Sequence, residues 1–184
     1  MTGSTSYSLA SKVKDYFQLI KFTLSFMVVF STVVSFLIAP NELFYVREKI
    51  ISVLLLFVAG MLITGSANAI NQVLEKTSDS LMKRTAQRPV ASGRMSVTEA
   101  GIFAFITGAA GVFMMWNYFN TTSAMVSLFS LFLYGFIYTP LKKVNSISVL
   151  VGAIPGALPC LIGWVAAYGN ETISWTGAWV LFGI

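Results

Sequence analysis

Long apolar runs constrain this chain more than any other feature. A helix that crosses a bilayer needs about 20 consecutive apolar residues. Residues 22–39 form the first such run, which stops at Pro40-Asn41. Further runs cover 50–70, 100–116, 123–138 and 147–168, and a last one occupies 175–184. Lipid offers no partner to an unpaired backbone N–H or C=O, so runs of this length fold as helices. The expected fold is all-α: a polytopic membrane helical bundle with five complete transmembrane helices plus the start of a sixth. That sixth run meets the final residue with no flanking charge. The sequence therefore reads as 1–21, an N-terminal tail, followed by 22–184, the N-terminal part of a single truncated transmembrane domain.

Composition supports this reading by exclusion. Only 10% of the residues are charged, against about 25% in soluble domains. The apolar content excludes intrinsic disorder. One cysteine, Cys160, excludes a disulfide framework, and the absence of histidine excludes His-based metal sites and triads. The bilayer is the expected partner, and nucleic acid is not.

The charges fall at the ends of the runs. Ten of the twelve basic residues lie in the N-terminal tail, the loop after the second run and the loop after the fourth. The opposite side holds only Arg47 and Lys49. The positive-inside rule places the N-terminus and those two loops in the cytoplasm, the expected location being a bacterial inner membrane. Ser96-x2-Glu99 reads as a capping box opening the third span. Gly152 and Gly156, with Pro155 and Pro159, read as close helix packing with a kink, or as the wall of a cavity.

One loop is more than a connector. Residues 71–96 hold five basic and two acidic residues. Asn71, Glu75 and Asp79 are spaced four apart, which puts them on one face of a helix continuing from the second span. Oxygen ligands at this spacing suit Mg²⁺, which is held by one or two carboxylates plus substrate phosphates. Lys83, Arg84 and Arg88 follow. Arg84 and Arg88 would point the same way while a helix lasts, and Pro89 marks its expected end. Guanidinium groups match phosphate oxygens bidentately. A Mg²⁺-diphosphate bearing a lipid tail fits such a surface. Topology alone would also place these cations here, and Asp79–Lys83 is compatible with an ordinary helical pair.

The stretch Asn71-Gln72-x2-Glu75-x3-Asp79-x2-Met82-x-Arg84-Thr85-x2-Arg88-Pro89 resembles the first motif of the intramembrane aromatic prenyltransferases, the UbiA superfamily. Glu75 and Met82 resemble its haem-farnesylating branch, as does the segment from Gly152 to Gly169 and the stretch Tyr138-Thr139-Pro140-Leu141-Lys142-Lys143. The resemblance spans most of 16–169 and departs in two places. Phe22-Thr23 follows Lys21 where many members have Pro-Arg. The sequence also ends before the family's second aspartate-rich motif.

The resemblance implies a nine-helix fold and a transferase. It implies farnesyl diphosphate as donor and haem B as acceptor, substrate rather than cofactor, giving haem O and diphosphate. Asn71, Glu75 and Asp79 would organise Mg²⁺ and serve catalysis. Lys83, Arg84, Arg88 and Lys142 would bind diphosphate, with Lys143 a topology charge. A haem A synthase as protein partner is left open. Two other readings stay open: a prenyltransferase acting on an aromatic quinone precursor, and a transporter or channel. The latter would need ionisable groups near the bilayer midplane, whereas these cluster at one surface.

Overall fold

The computed structural model describes residues 9–40, 46–142, 144, 147–168 and 173–183. These residues form helices and connecting turns, with no strand among them. The helices are α1 (Leu9–Leu19), α2 (Phe22–Ile38), α3 (Val46–Leu74), α4 (Lys76–Leu81), α5 (Val97–Tyr118) and α6 (Thr121–Phe132). A π-helical turn, Leu133–Tyr138, leads into α7 (Thr139–Leu141). Then come α8 (Ser148–Ala166) and α9 (Trp175–Gly183).

Four segments are long and apolar enough to cross a bilayer: Glu48–Leu74, Val97–Tyr118, Thr121–Leu141 and Ser148–Ala166. They match the second to fifth expected spans. The first is different. The 17 residues of α2 rise about 25 Å, short of the roughly 30 Å hydrocarbon core. With α1 they make a pair bent by 50°. Part of the expected tail is thus ordered helix, while residues 1–8 lie outside the described part.

Helices α2, α3, α5, α6 and α8 pack successively into a ring: α3 lies between α2 and α5, and α8 between α2 and α6. The core gathers Val29, Val33 and Phe36 of α2, Leu56 and Ile63 of α3, Met115 of α5 and Val165 of α8. Two glycines allow helix backbones to approach closely. A Cβ on Gly163 would collide with the Thr32 carbonyl of α2, and one on Gly111 would sit 2.6 Å from Ile63 of α3. Such contacts suit membrane helices, which associate by packing small residues.

Helix starts follow the expected chemistry. The Ser96 hydroxyl accepts the Glu99 N–H at 3.0 Å, one half of a capping box. The Glu99 carboxylate turns away to Lys12 and Tyr16 of α1. Asn120 opens α6 by accepting the Ser123 N–H at 2.7 Å and ties it to α8 by donating to the Val165 carbonyl at 2.8 Å.

Candidate functional site

The loop carrying Asn71, Glu75 and Asp79 folds back over one end of the ring. Helix α3 stops at Leu74 and α4 begins at Lys76, with Glu75 between them. The helical bonding nevertheless runs through: the Glu75 N–H donates to the Asn71 carbonyl at 3.0 Å, and the Asp79 N–H to the Glu75 carbonyl at 2.8 Å. The three side chains therefore share a face, as their spacing requires. All are buried.

Their oxygens meet cations from three other segments. Lys142, just past α7, places Nζ 2.6 Å from Glu75 Oε1. Arg88 donates from Nη1 to Asp79 Oδ2 at 2.7 Å and lies 3.9 Å from Glu75 Oε2. Lys21, at the α1–α2 break, donates from Nζ to Asn71 Oδ1 at 3.1 Å. Asn71 Nδ2 donates to Thr139 Oγ1 at 3.2 Å. Burial and the charges of Arg88 and Lys142 lower the Lys21 ammonium to about 8, against the pull of Glu75 and Asp79. Three cations thus face two carboxylates.

Not every expected residue joins them. Helix α4 ends at Leu81, seven residues before Arg88, and turns follow. Arg84 and Arg88 therefore do not share a helical face, as a helix running to Pro89 would have required. Lys83 and Arg84 are exposed, and neither makes a hydrogen bond or ion pair among the described residues. Asp79 pairs with Arg88 instead of Lys83. Arg88 is brought in by the turn itself: the Thr85 hydroxyl donates to the Asp79 carbonyl at 2.9 Å, and the Arg88 N–H to the Thr85 carbonyl at 2.9 Å. Lys143 lies outside the described residues.

Lys21 is not marked by spacing, being a lone lysine that topology already explains. Its signal is structural. It is the one non-glycine residue with positive φ among those described, at φ 48° and ψ 58°. Thr139, which the π-helical turn presents to Asn71, is likewise unmarked by spacing. Its Oγ1 donates to the Tyr134 carbonyl at 2.8 Å, and π-helical turns are frequent at functional sites.

An apolar cavity of about 230 Å³ lies within the ring beneath the charged cluster. Asn68, one turn before Asn71, and Tyr138, next to Thr139, are among its lining residues. Lys142 Nζ stands 5.6 Å from the Tyr138 ring centroid, within cation–π range. Leu24, Val28, Leu56 and Ile162 supply apolar wall. Gly152, Pro155, Gly156 and Pro159 also line the cavity. The α8 glycine–proline segment is thus cavity wall, and Gly152 is packing as well, since a Cβ there would meet the Tyr138 ring at 2.5 Å.

The donor set suits a hard cation only in part. Glu75, Asp79 and Asn71 offer oxygens, but no group of three or more His, Cys, Asp or Glu side chains that could hold a metal occurs among the described residues. That is too few for a closed cage and fits Mg²⁺ completed by phosphate and water.

Residues 28–184 match the model of the UbiA prenyltransferase family. The protoheme IX farnesyltransferase of Flavobacterium johnsoniae is 44% identical over 168 residues, covering 91% of this chain and 55% of its own. The mitochondrial protoheme IX farnesyltransferase of Debaryomyces hansenii is 36% identical over 180 residues, 98% of this chain and 37% of its own. The chain spans about half the length of the bacterial relatives it matches. Among solved structures, digeranylgeranylglyceryl phosphate synthase superimposes with a TM-score of 0.77 at 20% identity, over 93% of this chain and 57% of the other. A UbiA homologue from Archaeoglobus fulgidus bound to GPP and Mg²⁺ gives 0.69 at 15% identity, over 91% and 58%. These solved structures share the fold. The sequence match covers most of the chain, which is an integral membrane protein and belongs to the UbiA prenyltransferase family.

Proposed function

We propose that the whole protein transfers the farnesyl group of farnesyl diphosphate to a vinyl group of haem B, giving haem O and diphosphate. The observation that carries this reading is the buried Glu75–Asp79 pair, faced by three cations, one helical turn from an apolar cavity that Asn68 and Tyr138 line. Relatives named for this activity support the choice of donor and acceptor.

The chemistry balances. The allylic C–O bond of the donor breaks as a C–C bond forms to the vinyl carbon. Water adds to the resulting cation and gives up a proton, while diphosphate leaves.

Asn71, Glu75 and Asp79 would hold Mg²⁺, which when bound supplies charge neutralisation to the diphosphate. Arg88 and Lys142 would hold the diphosphate oxygens and stabilise the charge that grows on them, and Lys21, which reaches Asn71 rather than a carboxylate, would add to the binding of the diphosphate. The excess of one positive charge in the cluster suits a ligand of net negative charge. Lys83 and Arg84, exposed beside it, add to the field that an incoming diphosphate meets. The cavity would take up the prenyl chain and keep water from the allylic cation. On this reading the charged end faces the cytoplasm of a bacterial inner membrane.

The test is a product analysis. Cells expressing the full-length protein should accumulate haem O, detected by mass spectrometry, and no prenylated quinone precursor. A prenylated hydroxybenzoate or naphthoate in its place would assign the protein to another acceptor.

A further inference from the structure

The left-handed lysine is held by a device that the reaction itself does not require. At the end of α1 the Gln18 carbonyl accepts the Lys21 N–H at 3.2 Å, and the Leu19 and Ile20 carbonyls have no backbone donor among the described residues, as in the last turn of any helix. Two buried amides from α3 take them up. Gln72 Nε2 donates to the Gln18 and Leu19 carbonyls, both at 3.0 Å. Asn68 Nδ2 donates to the Ile20 carbonyl at 3.1 Å and to Ser25 Oγ at 3.0 Å. Ser25, in the first turn of α2, donates its own hydroxyl to the Ile20 carbonyl at 2.6 Å. Three successive carbonyls are thus fixed from one face of α3, and the next residue is Lys21.

Two physical points argue that this clamp exists to place the lysine. A left-handed residue after a helix is usually glycine, because a side chain there is strained. Here the residue is lysine, and its Nζ reaches Asn71. Gln72 also carries a cost of its own. Its Oε1 is buried without a partner, an arrangement that disfavours an amide unless its donors matter. Its orientation is not ambiguous, because both neighbours are carbonyls and only the nitrogen can face them.

We infer that Gln72 and Asn68 are positioning residues that hold the α1–α2 break so that the Lys21 ammonium is delivered to the Asn71–Glu75–Asp79 site. They touch neither Glu75 nor Asp79 through any hydrogen bond described above. Their effect on the reaction passes through the backbone of 18–20. The inference rests on the diphosphate reading for its kinetic consequence and on geometry alone for the clamp.

The experiment uses the full-length enzyme in detergent or nanodiscs. Gln72→Met keeps the shape and removes the donors. Its KM for farnesyl diphosphate should rise about tenfold with kcat within about twofold, and Lys21→Met should do the same. The double variant should be no worse than either single, since both remove one interaction. Amide hydrogen exchange at residues 20–25 should speed up in Gln72→Met and stay unchanged in Lys21→Met. Effects of the two substitutions that multiply, or unchanged exchange in Gln72→Met, overturn the inference. If Gln72→Met does not fold, Ser25→Ala, which removes one bond to the Ile20 carbonyl, takes its place with the same pattern at smaller size. Wild-type protein with no farnesyl transfer would defeat the functional reading, and the exchange measurement would still decide the clamp.

Discussion

Two ionic clusters sit near the same end of the bundle, and they are built differently. In the first, Lys21, Arg88 and Lys142 face Glu75 and Asp79, over an apolar cavity. In the second, Lys12 and Tyr16 meet Glu99 at 2.8 and 2.9 Å, and Arg94 Nε meets Asp15 Oδ1 at 2.9 Å. Arg94 also donates to Gln18 and to the Gln87 carbonyl. The second cluster has as many cations as carboxylates and lies beside a packed patch of Leu19, Val90, Met95 and Ala100. Balanced charge over a filled core is a staple that fixes α1. Unbalanced charge over an apolar cavity suits an anion with an apolar tail, as the proposed function requires. Ion pairs alone do not separate the two; stoichiometry and what lies beneath them do.

The strongest way to break this comparison is to remove a carboxylate from the first cluster. Glu75→Gln or Asp79→Asn in the full-length enzyme should lower kcat for Mg²⁺-dependent farnesyl transfer by about 10²–10³-fold, the scale of a lost electrostatic contact in a transition state. Normal transfer by either variant would remove that residue from the ligand set.

The next largest effect belongs to the second cluster, and it should appear in stability. Asp15 is buried, with Oδ2 unpartnered and Oδ1 on Arg94. Asp15→Asn should cost about 1–3 kcal/mol, the range for a weakened buried charged hydrogen bond, read from thermal unfolding in detergent. Turnover per folded molecule should stay within about twofold. A loss of turnover without a loss of stability would make the staple part of the site and merge the two clusters.

These roles were unequally legible in the sequence. Asn71, Glu75 and Asp79 could be grouped because a four-residue spacing survives the break at Glu75, where the backbone hydrogen bonds continue. Span positions followed from apolar length, which the lipid solvent makes nearly decisive. Arg88 could be named, but its separation from Arg84 could not be seen. That depends on α4 stopping at Leu81, a boundary set by Thr85 bonding back to Asp79. Lys21 and Gln72 were hidden for a different reason. Their roles come from contacts 50 or more residues apart in sequence, and no local periodicity marks such contacts. Glu99 was legible as a helix cap yet spends its carboxylate on α1.

That last residue supplies the smallest expected effect and the finest division within the staple. The Lys12 and Glu99 side chains are 39% and 30% exposed, whereas Asp15 is 4% exposed on the same measure. Exposed pairs gain little, because water screens them and two long side chains must be held in place. Glu99→Gln should therefore cost less than about 1 kcal/mol. The Tyr16 hydroxyl can still donate to the new amide oxygen, and the Ser96 cap, which uses the Glu99 N–H, is untouched. Raising salt should shrink the difference from wild type further, since screening acts first on exposed charges. The measurement is the thermal midpoint of both proteins at low and high ionic strength. If Glu99→Gln costs as much as Asp15→Asn, burial does not grade these pairs. The staple would then act as one cooperative network in which Tyr16, Lys12 and Arg94 fix α1 together.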